Sequence, residues 1–76
     1  MNKDFKHQLI RSIAASWAGK RNLGNMSHKE LAGVDMLVAK KEAEIFKNNN
    51  GTWCMLTEAG IRELYRLNGI NRQEEK

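Results

Sequence analysis

Proline is absent from this chain and cysteine occurs once, at Cys54. A lone thiol excludes a disulfide-stapled scaffold and a cysteine-based zinc site. There are no repeats and no low-complexity stretch to act as a linker, so the 76 residues are expected to form a single domain over residues 1–70, with 71–76 as a disordered tail. A chain of this length buries a modest core and holds a few kcal/mol of net stability, and a dimer interface is one way to relieve that; a homodimer is expected. No apolar run approaches the roughly 18 residues needed to span a bilayer, and no signal-peptide core is present. A cytoplasmic protein without a membrane partner is the expectation.

Enzyme signatures are missing as well. There is no phosphate-binding glycine loop of either common type. His7 and His28 lack metal-ligand spacing. Cys54 would need a positioned base to act as a nucleophile, and it reads instead as a small buried apolar residue in a strand. No catalytic residue, metal or cofactor is expected.

An excess of acid is also lacking; the balance runs the other way. Formal net charge is +4, with nine Lys or Arg against five Asp or Glu in residues 1–47 and four of each in residues 48–76. Positive potential therefore belongs to the first two-thirds, where it favours a polyanion such as nucleic acid or simply keeps the surface soluble.

Residues 3–17 read as a first helix. Phe5, Leu9, Ile10, Ile13, Ala14 and Trp17 share one face of a 3.6-residue period, Lys3, Lys6, His7 and Arg11 fall largely off it, and Gly19 is a stop signal. After a loop, "MSHKEL" sets Ser27 three residues before Glu30, the spacing of a capping box, with Met26 and Leu31 at the positions of a hydrophobic staple. A helix therefore starts at 28. It either continues to about Lys47 or breaks at "AGVD", residues 32–35, where Gly33 weakens a helix and Asp35 can cap a second one over 36–47. The broken form avoids putting Asp35 in an apolar stripe, though Glu42 fits neither version well.

"NNNG", residues 48–51, is a turn signal, since asparagine and glycine tolerate positive φ. "TWCML" then suits a strand with Trp53 and Met55 on one face and Cys54 and Leu56 on the other, its partner drawn from 45–48 or 22–26. Thr57 can cap a last helix with Ile61, Leu64, Tyr65 and Asn68 on its stripe and a Schellman-type end at Gly69. The fold class is mainly α with a small β element, three to four helices plus a short hairpin or single strand.

Three basic groups stand out: Lys20 and Arg21 in a loop, Lys40, Lys41 and Lys47 in the segment before the turn, and the cations of the first helix. Each lysine either neutralises a phosphate or belongs to a solvated face paired with Glu42 and Glu44. The asparagines either donate to phosphates and bases or only shape the turn. Trp17 is expected in the core. Trp53 either stacks on a base or packs a strand face onto the helices.

The element order resembles a winged helix-turn-helix domain, and "GTWCMLTEAGIREL", residues 51–64, is similar to the wing and following helix of small bacterial regulators of the MarR and PadR type, in which an "LT-x-x-G" segment opens the helix; here it is Leu56, Thr57, Glu58, Ala59 and Gly60. The resemblance implies DNA binding in transcriptional control, with residues 36–47 as the recognition helix. Lys40, Lys41 and Lys47 would then lie near DNA, Lys20 and Arg21 would form a basic loop, and Asn48, Asn49, Asn50 and Thr52 would form the wing. The alternative is a protein-interaction module, an adaptor or inhibitor of a larger machine, touching its partner through Met36, Leu37 or Trp53.

Overall fold

The computed structural model describes the backbone of residues 2–74 and side chains through residue 69. Three helices and three strands follow one another as α1 (Lys3–Ala15), β1 (Lys20–Asn22), α2 (His28–Ala39), β2 (Ala43–Asn48), β3 (Gly51–Leu56) and α3 (Glu58–Glu74). The fold is mainly α with a small antiparallel sheet in the order β1-β3-β2. The "TWCML" strand is central. Residues 43–48 flank it on one side and 20–22 on the other, so of the segment 22–26 only Asn22 pairs.

α1 begins where the side chain of Asn2 accepts from the amides of Asp4 and Phe5, and its buried face is His7, Leu9, Ile10 and Ile13. It stops two residues earlier than its periodicity predicts. Ser16 is extended, and its hydroxyl donates to the Ser12 carbonyl at 2.6 Å. Trp17 is thereby thrown off the helical stripe and is 83 % exposed rather than in the core. His7 is the opposite correction: it is buried, with Nε2 2.7 Å from Asn68 Oδ1 on α3.

The capping box at Ser27 and Glu30 forms as expected, with the Ser27 hydroxyl accepting from the Glu30 amide at 3.2 Å and the Glu30 carboxylate accepting from the Ser27 amide at 3.1 Å. Beyond it, α2 is one unbroken helix through Gly33 and Asp35. Gly33 is buried against the core, and Asp35 is exposed rather than a cap. Neither two helices nor one helix to Lys47 is observed. The chain leaves α2 by a Schellman turn in which the amide of Glu42 donates to Leu37 O at 2.8 Å and that of Lys41 to Val38 O at 2.9 Å. Lys41 occupies the left-handed position, φ 62, that normally belongs to glycine. Lys41→Gly is expected to raise stability by about 0.5–1 kcal/mol by relieving that conformation, measured by urea denaturation. A loss of stability would show that the lysine side chain makes a compensating contact.

The core joins all three helices to one face of the sheet: Leu9, Ile10 and Ile13 from α1, Val34 and Leu37 from α2, Leu67 from α3, and Cys54 and Leu56 from β3. Met26 and Leu31, the staple pair, both belong to this cluster. Burial pushes the Cys54 thiol up from its ordinary value, against the smaller opposing effect of Arg21, which keeps it protonated and inert. Of the apolar stripe expected on α3, Leu64 packs against the core. Gly60 and Leu67 are buried, whereas Ile61 and Tyr65 are 45 % and 70 % exposed. The helix passes Gly69 without the expected Schellman end and continues to Glu74, through most of the predicted tail. Residues 75–76 of that tail lie outside the described residues.

Two contacts pin α3. The Thr57 hydroxyl donates to Lys41 O at 2.6 Å and accepts from the Gly60 amide at 3.2 Å, while the Thr57 amide donates to Glu42 O at 3.1 Å. Behind it, Lys6 of α1 bridges Glu63 of α3 at 2.6 Å and Glu42 at 3.1 Å, with 12–14 % of these side chains exposed. Glu42 Oε1 takes no directed hydrogen bond there, so its contact with Lys6 is charge against charge. This is the position of Glu42 that the sequence left unexplained, and it places Lys6 inside the protein rather than on its surface.

Candidate nucleic-acid interface

Alternation along the strands gives the sheet two unlike faces. Cys54 and Leu56 point into the helices. Trp53 and Met55 point the other way, where no helix covers them among the described residues. The antiparallel register sets Phe46 and Asn22 beside Trp53, and Glu44 and Lys20 beside Met55. This outer face therefore carries Lys20, Asn22, Glu44, Phe46, Asn48, Trp53 and Met55. Trp17 joins them from the tight turn Trp17–Gly19, in which Ala18 and Gly19 both have positive φ, 57 and 72, and fold the indole back beside β1.

The Lys20 ammonium sits at the middle of these rings. It lies 4.9 Å from the centroid of Trp53, 5.5 Å from Trp17 and 5.7 Å from Phe46, all within cation–π range. Each such contact is worth about 0.5–1 kcal/mol at an exposed site, so the three together hold the lysine in place without neutralising it.

Asparagine side chains brace the hairpin end. Asn48 Oδ1 accepts from the Asn50 amide and from Trp53 Nε1, both at 2.8 Å, which closes the turn and fixes the indole edge. Asn22 Oδ1 accepts from the Gly24 amide at 2.8 Å, and its Nδ2 donates to Asn50 O at 3.4 Å. Gly51 lies under this amide: its φ is 131, and a Cβ there would stand 3.0 Å from Asn22 Nδ2. The turn chemistry of "NNNG" is thus used in full by the fold, with Asn49 and Asn50 left exposed at the tip.

The residues singled out from sequence do not form one surface. Lys20 and Asn48 are on the outer face. Arg21 points inward, donating to Glu30 Oε2 at 2.7 Å and Ser12 Oγ at 2.8 Å. Its guanidinium, with the Ser27 amide, holds the Glu30 carboxyl below the usual carboxylate range, so Arg21 stabilises the start of α2 and is not available to a ligand. Lys40 and Lys41 are exposed in the turn before β2, at the end of the sheet away from the hairpin tip. Lys47 is exposed on β2 and Thr52 is half-buried opposite it, both alternating away from the outer face. Residues 36–47 form no recognition helix, since they comprise the end of α2, a turn and most of β2. Leu37, considered as an exposed contact, is fully buried; Met36 is 43 % exposed.

Sequence reasoning missed Phe46, Asn22 and the outward place of Trp17. One signal was available: if "NNNG" is the tip of a hairpin, the residues before it must pair with those after it, which makes 43–48 a strand and sets Phe46 against Trp53. No protein family, curated protein or solved structure matches this chain.

Proposed function

We propose that this chain is a small nucleic-acid-binding protein, acting in transcriptional control, and that its contact surface is the outer face and hairpin end of the sheet rather than a recognition helix. The observation that supports it best is Lys20 held between Trp17, Phe46 and Trp53 on a sheet face that, among the described residues, no helix covers. Aromatic rings interleaved with a cation and side-chain amides are the groups that take bases and phosphates together. The formal net charge of +4 adds long-range attraction for a polyanion, and the resemblance to winged-helix regulators supports DNA as that polyanion.

Fluorescence anisotropy of labelled DNA tests the reading. Affinity is expected to fall steeply with added salt, and Lys20→Gln is expected to weaken binding and lower the slope of log affinity against log salt by about 0.7–0.9, the loss of one phosphate contact. Circular dichroism checks that the variant stays folded. Absence of binding at low salt would refute the proposal. One observation favours the second reading, a protein-interaction module or homodimer: Ile61 and Tyr65, one helical turn apart on α3, are both exposed. That reading expects self-association or a protein partner that is lost in Tyr65→Asp and indifferent to nuclease.

A further inference from the structure

We infer that the outer face takes an unpaired stretch of DNA, by stacking bases on Trp17 and Trp53 as the Lys20 ammonium leaves the rings for the phosphate between them; the inference rests on the nucleic-acid reading above.

Four features favour an unpaired strand over a duplex. First, the main offering of this face is aromatic surface. Trp17 is 83 % exposed, and the two indoles flank one ammonium, within reach of consecutive bases. A duplex hides its base faces in its own stack, so it cannot use such a platform, whereas a single strand can with any sequence. Second, the charge on the face is sparse. Among the described residues Lys20 is its one cation, and Glu44 stands across Met55 from it. A single strand presents one phosphate per about 3.4 Å and a duplex one per about 1.7 Å, so the weakly charged face is better matched to the single strand. Third, α2 is poorly equipped as a groove reader. The exposed positions of α2 are His28, Lys29, Ala32, Asp35, Met36 and Ala39, which include no arginine, asparagine or glutamine to address a base edge. Fourth, the sheet is a rigid mount. The Trp53 indole is held at its Nε1 by Asn48, so little ordering of that ring is needed on binding.

DNA is taken over RNA from the reading above, and the hydrogen bonds of the face agree with that choice. Telling RNA apart requires partners for the ribose 2′-hydroxyl. The amide oxygens of Asn22 and Asn48 are already engaged by Gly24, Asn50 and Trp53, so both are committed within the hairpin end rather than offered to that hydroxyl.

The test compares three labelled probes by anisotropy at low salt with the full chain: an oligothymidylate of roughly 12 nucleotides, within the range of site sizes of small single-strand-binding domains, the matching oligouridylate, and a duplex of the same length. Oligothymidylate is expected to bind at least about tenfold tighter than duplex and to quench tryptophan fluorescence. Trp17→Ala, at an exposed position that leaves the core intact, is expected to cost about tenfold for the single strand, and Glu44→Lys to strengthen it. Trp53→Phe is the second variant, since it keeps a ring on the face. Duplex binding as tight as oligothymidylate, or no effect of either tryptophan variant, overturns the inference while leaving the broader reading in place. Tighter binding of oligouridylate overturns the DNA assignment. No binding to any probe refutes the nucleic-acid reading itself.

Discussion

Gly60→Ala is expected to abolish most of the stability of this protein. At an ordinary helical position the same change stabilises by about 1 kcal/mol, because alanine restricts the unfolded chain and suits the helix. Here the sign reverses. A Cβ on residue 60 would stand 1.9 Å from the carbonyl oxygen of Glu42, 3.0 Å from its carbonyl carbon and 3.2 Å from the Leu56 Cβ. Nothing nearby can yield. Glu42 O accepts from the Thr57 amide, the Glu42 amide closes the Schellman turn on Leu37, and Leu56 lies in the core. Relief requires α3 to move away from the turn that joins α2 to β2. Overpacking of this kind costs about 3 kcal/mol or more, and the expected fall in thermal midpoint is roughly 12–24 °C for a domain of this size. Circular dichroism on heating measures it. A midpoint at or above that of the wild type would show that α3 does not sit against Glu42.

The second large effect is expected from Lys6→Met. Lys6 is the shared cation of two largely buried carboxylates, Glu42 and Glu63. Removing one partner of a buried ion pair leaves uncompensated charge and costs about 3–5 kcal/mol. The double variant with Glu42→Gln is expected to regain part of the loss, because among the described residues Glu42 is paired only with Lys6, whereas Glu63 keeps Arg66. The pH dependence has a definite sign. Arg66 and then Lys6 hold the Glu63 carboxyl down at about 2, against the opposing effect of burial. A carboxyl whose folded value is depressed stabilises above its unfolded value of 4.5 and loses that contribution as pH falls toward about 2. For Lys6, burial acts to lower its value, but Glu63 and Glu42 together outweigh it and raise the amine above 10.5. Its contribution is therefore present below 10.5 and lost as pH rises past the raised value. The contribution of this network to wild-type stability should be flat between these limits. In Lys6→Met the Glu63 carboxyl loses one of the two cations that hold it down, so the deficit should narrow on acidification. An equal deficit at every pH would argue against the network.

What the sequence disclosed depended on how local each signal was. The capping box of Ser27 and Glu30, the turn at Asn48–Gly51 and the Thr57 cap are settled by neighbours within a few residues, and all three form. The strand alternation that buries Cys54 and Leu56 was legible too. Signals that depend on tertiary packing were not. "AEIFKN" has no clean alternation because β2 is an edge strand exposed along most of its length, so its residues read equally well as helix. Lys41 in the left-handed position hid the end of α2, where a glycine would have announced it. Trp17 fits the stripe of α1 only if the helix runs past Ala15, and Ser16 stops it there. The candidate site inherits these misses. Of the nine residues singled out from sequence, Lys20 and Asn48 reach the outer face, and the aromatic residues that give it its character were assigned to core or helix.

The same misses explain why the basic segment before the turn looked like a recognition helix. Lys40, Lys41 and Lys47 are close in sequence, but a turn and a strand separate them in space. Binding by the sheet face does not require them to act together.

The central claim, that the outer face of the sheet is the ligand surface, is tested most directly by amide and indole chemical-shift mapping during titration with oligothymidylate. The expected result is that the indole signals of Trp17 and Trp53 and the amides of Lys20, Asn22, Phe46 and Met55 shift together, while the amides of α2 from His28 to Ala39 stay where they are. Shifts confined to α2, or to the exposed Ile61–Tyr65 stripe of α3, would contradict it.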